Sequence, residues 1–442
     1  MIKVKLTNWP AKKPLEAISH AAKTCYESEI PQWGKVIDVK GNLFNTGHHT
    51  TFQHTNYSFT IDRISVGDIT LGLHLANPFY NTSQRSGRFC AKMFANPDVN
   101  FLKKYINFYW PGCAKKKVLD YITLGTDIYQ RNIEKAEKEV ERFIKKERPN
   151  AGGEYIRKNA PKIAQEQLRM FIPVIFPTGL TYTVNTSALP ALYRSAWSPV
   201  MRDVTEKMAN LVLKKDQRLE FSFQRGSGEG SVLKQPSSFS GISRKPHLRL
   251  ISAGDASSFV KPKPEEMHPI DLLHFTPRLM DNNTQEIKTE VELSLATMGQ
   301  DQRHRTVRRG FPSFTGNFYL PPVPSSLGLE KEAENLFNEW LSLSEEGIDD
   351  YLLSVLAPYG AMVRYTKSAS YNAAIHELSK RLCWCAQEEI YHMTLLLREQ
   401  LGDHPIIEVM APNCALTGKC GEGSRFCGRD LKKAGSFPQR RV

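Results

Sequence analysis

No stretch of this 442-residue sequence stays apolar long enough to cross a bilayer. The opening MIKVKLTNWPAKK also lacks the apolar core of a secretory signal, so a cytoplasmic protein is expected. Cysteine is scarce: eight in a chain of this length do not make a disulfide framework, and the paired C-x-x-C spacing of a zinc ribbon is missing. Acidic charge is in deficit as well. The 46 Asp and Glu face 59 Lys and Arg, for a formal net charge of +13. Polyanions are therefore welcome partners, whether nucleic acid, nucleotide or polyanionic cofactor, and charge alone does not choose among them.

What is present describes a globular chain too long for one core, so two domains are expected. Ile133, Ala136, Val140 and Phe143 recur at helical steps, and PNAGG at 149–153 breaks that pattern. A second helix is expected through IAQEQLRMFI up to Pro173, a third through KEAENLFNEWLSL, and a long last one over 373–401. TNYSFTIDRI and EIKTEVELSL alternate apolar and polar residues, as half-buried strands do. Between these regions, 224–246 turns rich in Gly and Ser and reads as a linker or mobile loop. The order of elements is similar on both sides of it: a strand, a His-bearing motif ending in Ser, an acidic amphipathic helix, a proline (Pro173 or Pro358), and a final helix. This is an internal-repeat pattern carried by little residue identity. It gives boundaries of 1–220 for a first unit, 221–246 for the linker and 247–442 for a second unit.

Two stretches carry chemistry. QDQRHRTVRRGFPS at 300–313 packs four arginines and a histidine into seven residues. Taken alone, such a run reads as a solvated basic face. Arg303-His304-Arg305 also offers fixed charge and forked donors able to bracket a phosphate, or a ring that is gaining negative charge. Ser313 could add a hydroxyl to the same ligand. Far upstream, LHLANPFYNTS at 73–83 keeps His74 and Ser83 in step, with leucines in place of the arginines.

Arg-His-Arg, seven residues and then Ser resembles the signature of the flavin-dependent thymidylate synthase (ThyX) family. Gln300 matches that family's uracil-contacting Gln. KRLCWCAQEEIYHM resembles its last substrate segment, with Arg381 in the place of the pyrimidine-holding Arg and Cys385 in place of a flavin-contacting His. In the first half AISHAAKTCY resembles the opening helix. GHHTTFQHTNYSFTI is similar to the G-H-x-T-P-F-E-H strand motif, with Gln53 for Glu. SGRF at 86–89 resembles the phosphate-gripping Ser-Gly-Arg-Tyr, and PVIFPTGLTYTVNTSAL the Pro-to-TVN segment, with Arg169 before it. Each half lacks what the other keeps: the late Arg position of the first falls on Ala196, and the second has Ser354 where Arg169 stands and SFTG where SGRF stands.

The resemblance implies an α/β (α+β) fold of two ThyX-like units, each a mainly antiparallel sheet flanked by long helices. It implies methylation of dUMP to dTMP at a composite site between the units, with FAD as cofactor and methylene-tetrahydrofolate and NADPH as co-substrates. Arg303 and Arg381 would be catalytic, since a preorganised guanidinium keeps its proton while charge spreads onto the pyrimidine carbonyls. Gln300, Ser313, Ser86, Arg88 and Arg169 would bind substrate. His48, Thr50, His54, Asn185, Arg303, His304 and Arg305 would contact flavin. A homodimer of tandem units is expected.

Two rival functions stand beside this one. The first is methylation or hydroxymethylation of another pyrimidine nucleotide, because Phe311 holds the place of a family Glu. The second is a non-enzymatic nucleotide- or nucleic-acid-binding protein, with Phe311 and Phe314 as stacking surfaces. For residues taken singly, His54 reads as a strand packing residue and Asn185 as a cap or turn. No metal is required by this chemistry. Cys414, Cys420 and Cys427, with Cys383, Cys385 or His392 near them, leave zinc, reduced structural thiols and a redox role open.

Overall fold

Strand β2 (Asn56–Ser65) shows how the sequence pattern is used: Tyr57, Phe59 and Ile61 are buried and alternate with more exposed neighbours. The computed structural model describes residues 1–6, 13–24, 32–45, 50–75, 80–87, 94, 97–113, 115–226, 233–423 and 426–442. The chain forms two compact units, each discontinuous in sequence. One comprises Met1–Ser86, Asp98–Lys115 and Ile175–Val232, and the other Gly87–Pro97, Lys116–Val174 and Leu233–Val442. This partition by packing differs from the repeat boundaries 1–220 and 247–442, because the helical part of the first sequence half packs in the second unit.

In the first unit β1 (Lys3–Leu6), β2, β3 (Tyr80–Gln84) and β4 (Pro177–Asn185) form an antiparallel sheet in the order β1-β2-β4-β3. At the end of β2 the Ser65 hydroxyl accepts from the Asp68 N–H at 2.8 Å and starts a helical turn. Asp68 is itself buried, accepting from Ser65 Oγ at 2.5 Å and Tyr105 Oη at 3.0 Å, and burial pushes its carboxyl up to about 6.

In the second unit the strands are β5 (Gly241–Ser243), β6 (His247–Ser252), β7 (Glu286–Ser294), β8 (Arg308–Arg309), β9 (Ser313–Tyr319) and β10 (Ala361–Ser370). Their order is β5-β9-β10-β7-β6, with β8 pairing β10. The run β6-β7-β10-β9 is antiparallel and has the strand order of β1-β2-β4-β3. Ser294 repeats the device of Ser65: it ends the second strand of the run and caps the helix Leu295–Asp301.

The amphipathic helices Lys116–Glu147, Gly153–Leu168 and Glu330–Ser342 also belong to this unit. Ala136, Val140 and Phe143 on the first, and Ala333, Leu336, Phe337 and Trp340 on the last, are buried as their periodicity predicts. After Gly153–Leu168 the chain reaches Pro173, which forms an antiparallel bridge with Pro358. Val174 N donates to Ala357 O and Tyr359 N to Ile172 O, both at 2.9 Å.

Two sequence expectations need correction. The last helix is two helices, Tyr371–Arg381 and Glu388–Leu401. Leu382, Trp384 and Ala386 keep the apolar pattern running through the break and so conceal it. The first helix ends at Arg381 with Leu382 as its C-cap, and the second starts after Gln387, whose extended backbone (ψ 148°) and fully buried side chain set its N-terminus. The described residues of 221–246 are likewise anchored rather than free. Arg225 donates to Tyr193 O at 2.7 Å and to Glu206 at 2.8 Å, and β5 pairs in parallel with β9. Ser240 N reaches Gly316 O, and Gly316 sits at φ +82°, where a side chain would collide with Ser238 and Ser240.

Candidate functional site

The basic run is divided by packing into a clamp and a displayed face. The helix Leu295–Asp301 ends in a tight turn in which Arg303 N returns to Gln300 O and His304 N to Asp301 O. Arg309 holds that turn from below. Its guanidinium donates to Asp301 Oδ2 at 2.5 Å, to His304 O at 3.1 Å, to Val307 O at 2.8 Å and to the Asp301 carbonyl. Asp301 is fully buried and also accepts from Lys367 Nζ at 2.5 Å and Tyr365 Oη at 2.8 Å, while Lys367 bridges on to Glu377 at 2.7 Å. Burial opposes the Asp301 charge, but the Arg309 and Lys367 cations outweigh it and hold the carboxyl well below the usual range. Burial also pushes the Glu377 carboxyl up. By contrast Arg308 projects into solvent.

The clamp leaves Arg303 exposed, Arg305 half-buried and His304 buried. The His304 ring meets His376 edge-on at 5.2 Å. Burial and the Arg381 charge keep it far below its ordinary pKa, so it is a neutral imidazole, and its Nδ1 has no partner among the described residues.

Arg381, in the last turn of Tyr371–Arg381, donates to Gln300 O at 2.6 Å, and its Nε is buried without a partner among the described residues. Arg169 follows the helix Gly153–Leu168. It lies over the Tyr359 ring at 5.2 Å and donates to Gln387 Oε1 at 3.1 Å. The same Gln387 oxygen accepts from Gln300 Nε2. Thus Arg169, from the first sequence half, and Gln300, from the second, share one acceptor inside the second unit. Burial, and after it Arg305 and Arg169, lower Arg303, and burial with a smaller push from Arg303 lowers Arg381. These guanidiniums remain charged, because the shifts start from a group that proteins do not deprotonate. Gly87 lies beside Arg169: a Cβ there would stand 3.1 Å from its Nη1.

Behind Gln387 stands Glu389, fully buried, which accepts from Ser294 N at 2.7 Å and from Ser294 Oγ and Thr297 Oγ1 at 2.5 Å each. Burial nevertheless pushes its carboxyl up to about 7. The centre is therefore a set of converging cationic donors with unpartnered buried polar atoms, built for an anion that presents several acceptors.

Several expected site residues lie elsewhere. Ser313 is exposed at the start of β9 opposite Arg364 and is not a hydrogen-bond partner of this set. In the first unit Thr50 and His54 are exposed on the short helical turn Thr50–His54, so His54 is neither on the strand nor packed inside, and Ser86 is half-buried. Asn185 uses its carbonyl oxygen to cap the next helix, accepting from Ser187 N at 3.0 Å and Ala188 N at 2.7 Å. His48 and Arg88 lie outside the described residues. Phe314 is half-buried and packs edge-on against Trp340 at 5.1 Å. Among the described residues no group of three His, Cys, Asp or Glu could hold a metal ion, and no helix is long and apolar enough to cross a membrane. Sequence reasoning missed Gln387 and Glu389 as parts of the centre; their only signal was the AQEE run, whose polar residues sit where a continuous helix would have been apolar.

Fold and centre together define a mixed α/β protein of two sheets with an arginine-rich, anion-seeking centre. The model of the thymidylate synthase complementing protein family matches residues 6–215. That segment, a little under half of the chain, is similar to this family, the ThyX family. Two solved structures of ThyX from Helicobacter pylori with FAD and dUMP are similar at 18% identity. One covers 50% of this chain and 100% of its own at a TM-score of 0.36, the other 49% and 97% at 0.35. No curated protein matches. The matched segment holds Arg169 and the leucine-bearing motif, whereas Gln300, Arg303 and Arg381 lie beyond it.

Proposed function

We propose that the chain is a tandem flavin-dependent thymidylate synthase that methylates dUMP to dTMP at a composite centre drawn from both sequence halves. The observation that carries this reading is the shared acceptor Gln387, on which Arg169 from the matched half and Gln300 from the other converge beside Arg303 and Arg381. Arg381 and Arg303 would stabilise the charge that builds on the pyrimidine when its C5 becomes nucleophilic. Arg169 would bind the substrate, with Gln300 on the uracil.

The residues present fit a polyanionic flavin. The His304 Nδ1 is buried and unpartnered, and Arg303 beside it is exposed and cationic. Arg303, His304 and Arg305 would hold FAD. Reduced by NADPH, the flavin supplies hydride to the one-carbon unit delivered by methylene-tetrahydrofolate. The protein's own residues supply binding, orientation and positive charge.

The test begins with the visible spectrum of the purified protein, where near-stoichiometric flavin is expected. Tritium release from C5-labelled dUMP should then be lost in Arg303→Ala and Arg381→Ala. A colourless protein that does not take up FAD overturns the enzyme reading. Wild-type turnover in either variant removes that arginine from the site. Mass analysis of the product separates methyl from hydroxymethyl transfer.

A further inference from the structure

Three free thiols meet where the C-terminal segment returns to the second unit. Cys383 and Cys385 flank Trp384 in the turn between Tyr371–Arg381 and Glu388–Leu401. Cys427 is buried in an apolar cluster with Leu382, Trp384 and Tyr391, and Cys385 packs against that cluster. The Cys385 thiol hydrogen-bonds with both Cys383 and Cys427.

Two arginines enclose the group. Arg148 donates to Cys427 O at 3.4 Å and to Trp384 O at 3.2 Å, and the Arg429 guanidinium lies 4.6 Å over the Trp384 ring. The backbone around Cys427 is fixed: Asn150 N donates to Gly428 O at 2.9 Å, and Gly428 has φ +80° with no room for a side chain against Ala151. The segment beyond is buried too. Arg440 donates to Ala386 O at 2.6 Å, and its N–H to His392 Nε2 at 3.2 Å.

We propose that Cys385 and Cys427 form a modification site for hydroperoxides, oxidised to a disulfide that ties the C-terminal segment to the turn carrying Gln387. The two sulfurs have unequal roles. The hydrogen bond with Cys385, the Arg429 N–H and the charges of Arg148 and Arg429 lower the Cys427 thiol to about 6 against its burial, while its hydrogen bonds with Cys383 and Cys427 raise Cys385. The Cys427 thiolate attacks one oxygen of the hydroperoxide, the O–O bond breaks, and the alkoxide or hydroxide leaves to take a proton from solvent. The resulting Cys427 sulfenic acid is attacked by the Cys385 sulfur as that thiol gives up its proton; the S–O bond breaks, and the departing hydroxide takes the proton as water. The two sulfurs together lose two electrons, which the peroxide gains.

Peroxide treatment of the full-length protein, followed by non-reducing digestion and mass spectrometry, tests this directly. A cross-linked pair of peptides containing Cys385 and Cys427 is expected, with a Tm rise of about 5 °C or more from closing the long intervening loop, both reversed by a dithiol reductant. Cys427→Ser should show neither change, and Cys113→Ser should behave as wild type. The wild-type measurement decides even where Cys427→Ser folds poorly. A Cys383–Cys385 bridge, over-oxidation without a cross-link, unreactive thiols, or stoichiometric zinc on the purified protein each overturn the proposal.

Discussion

Arg308 and Arg309 are adjacent and identical in sequence, yet their removal should differ by several kcal/mol in the stability of the second unit. Arg309→Ala deletes the guanidinium that ties Asp301 to the carbonyls of His304 and Val307. Asp301 keeps Lys367 and Tyr365, so its charge is not abandoned, but a buried pair is broken and backbone acceptors are orphaned. Breaking such a pair costs about 3–5 kcal/mol. At roughly 2–4 °C per kcal/mol, Tm should fall by about 10 °C. Arg308 is an exposed side chain whose nearest carboxylate, Glu286, is 3.9 Å away, and Arg308→Ala should stay within about 0.5 kcal/mol of wild type. Urea unfolding and calorimetry of both variants measure the contrast, and nucleotide affinity should follow stability only in Arg309→Ala, because the turn presenting Arg303 and His304 loses its support. Equal stabilities for the two variants would refute the division of the run into clamp and display.

Other perturbations read other parts of the molecule. Gln387→Leu strips the shared acceptor from Arg169 and Gln300, at a cost of about 2–4 kcal/mol, and should weaken dUMP binding at least tenfold by calorimetric titration; unchanged affinity would place the nucleotide elsewhere. Glu389 is raised from an ordinary 4.5 to about 7, so the folded state prefers its proton. Its contribution is full below pH 4.5, declines as pH rises to about 7, and totals about 3 kcal/mol. Glu389→Gln should lower stability overall yet remove that slope, as urea midpoints across the window will report. Asp68, raised to about 6, should give the first unit a similar decline between about pH 4 and 6, absent in Asp68→Asn.

Periodic elements were legible in the sequence because burial writes itself at two- and three-to-four-residue spacing, as in β2 and in the helices bearing Val140 and Trp340. The break at 382–387 was not legible, since Leu382, Trp384 and Ala386 continue the apolar rhythm through it. In the centre, Gln300, Arg303, His304 and Arg381 were singled out by the family resemblance, whereas the clamp was not. Sequence carries no sign that Arg309 folds under the turn, because that choice is made by Asp301, Tyr365 and Lys367 from three different segments. Ser313 shows the converse: correct spacing placed it on a strand end facing solvent.

The bridge between Pro173 and Pro358 joins each sequence half to its own counterpart, as a self-complementary contact does in a symmetric dimer. In such a dimer every substitution at the seam is made twice, so a change useful on one side must also be tolerated on the other. On the tandem reading, one polypeptide carries both sides, and a mutation is felt once. That release lets Arg169 persist opposite Ser354, and Arg303 opposite Leu73, as complementary specialisations of a single centre instead of two partial failures. On that reading, the seam is where one polypeptide would gain the freedom to become asymmetric.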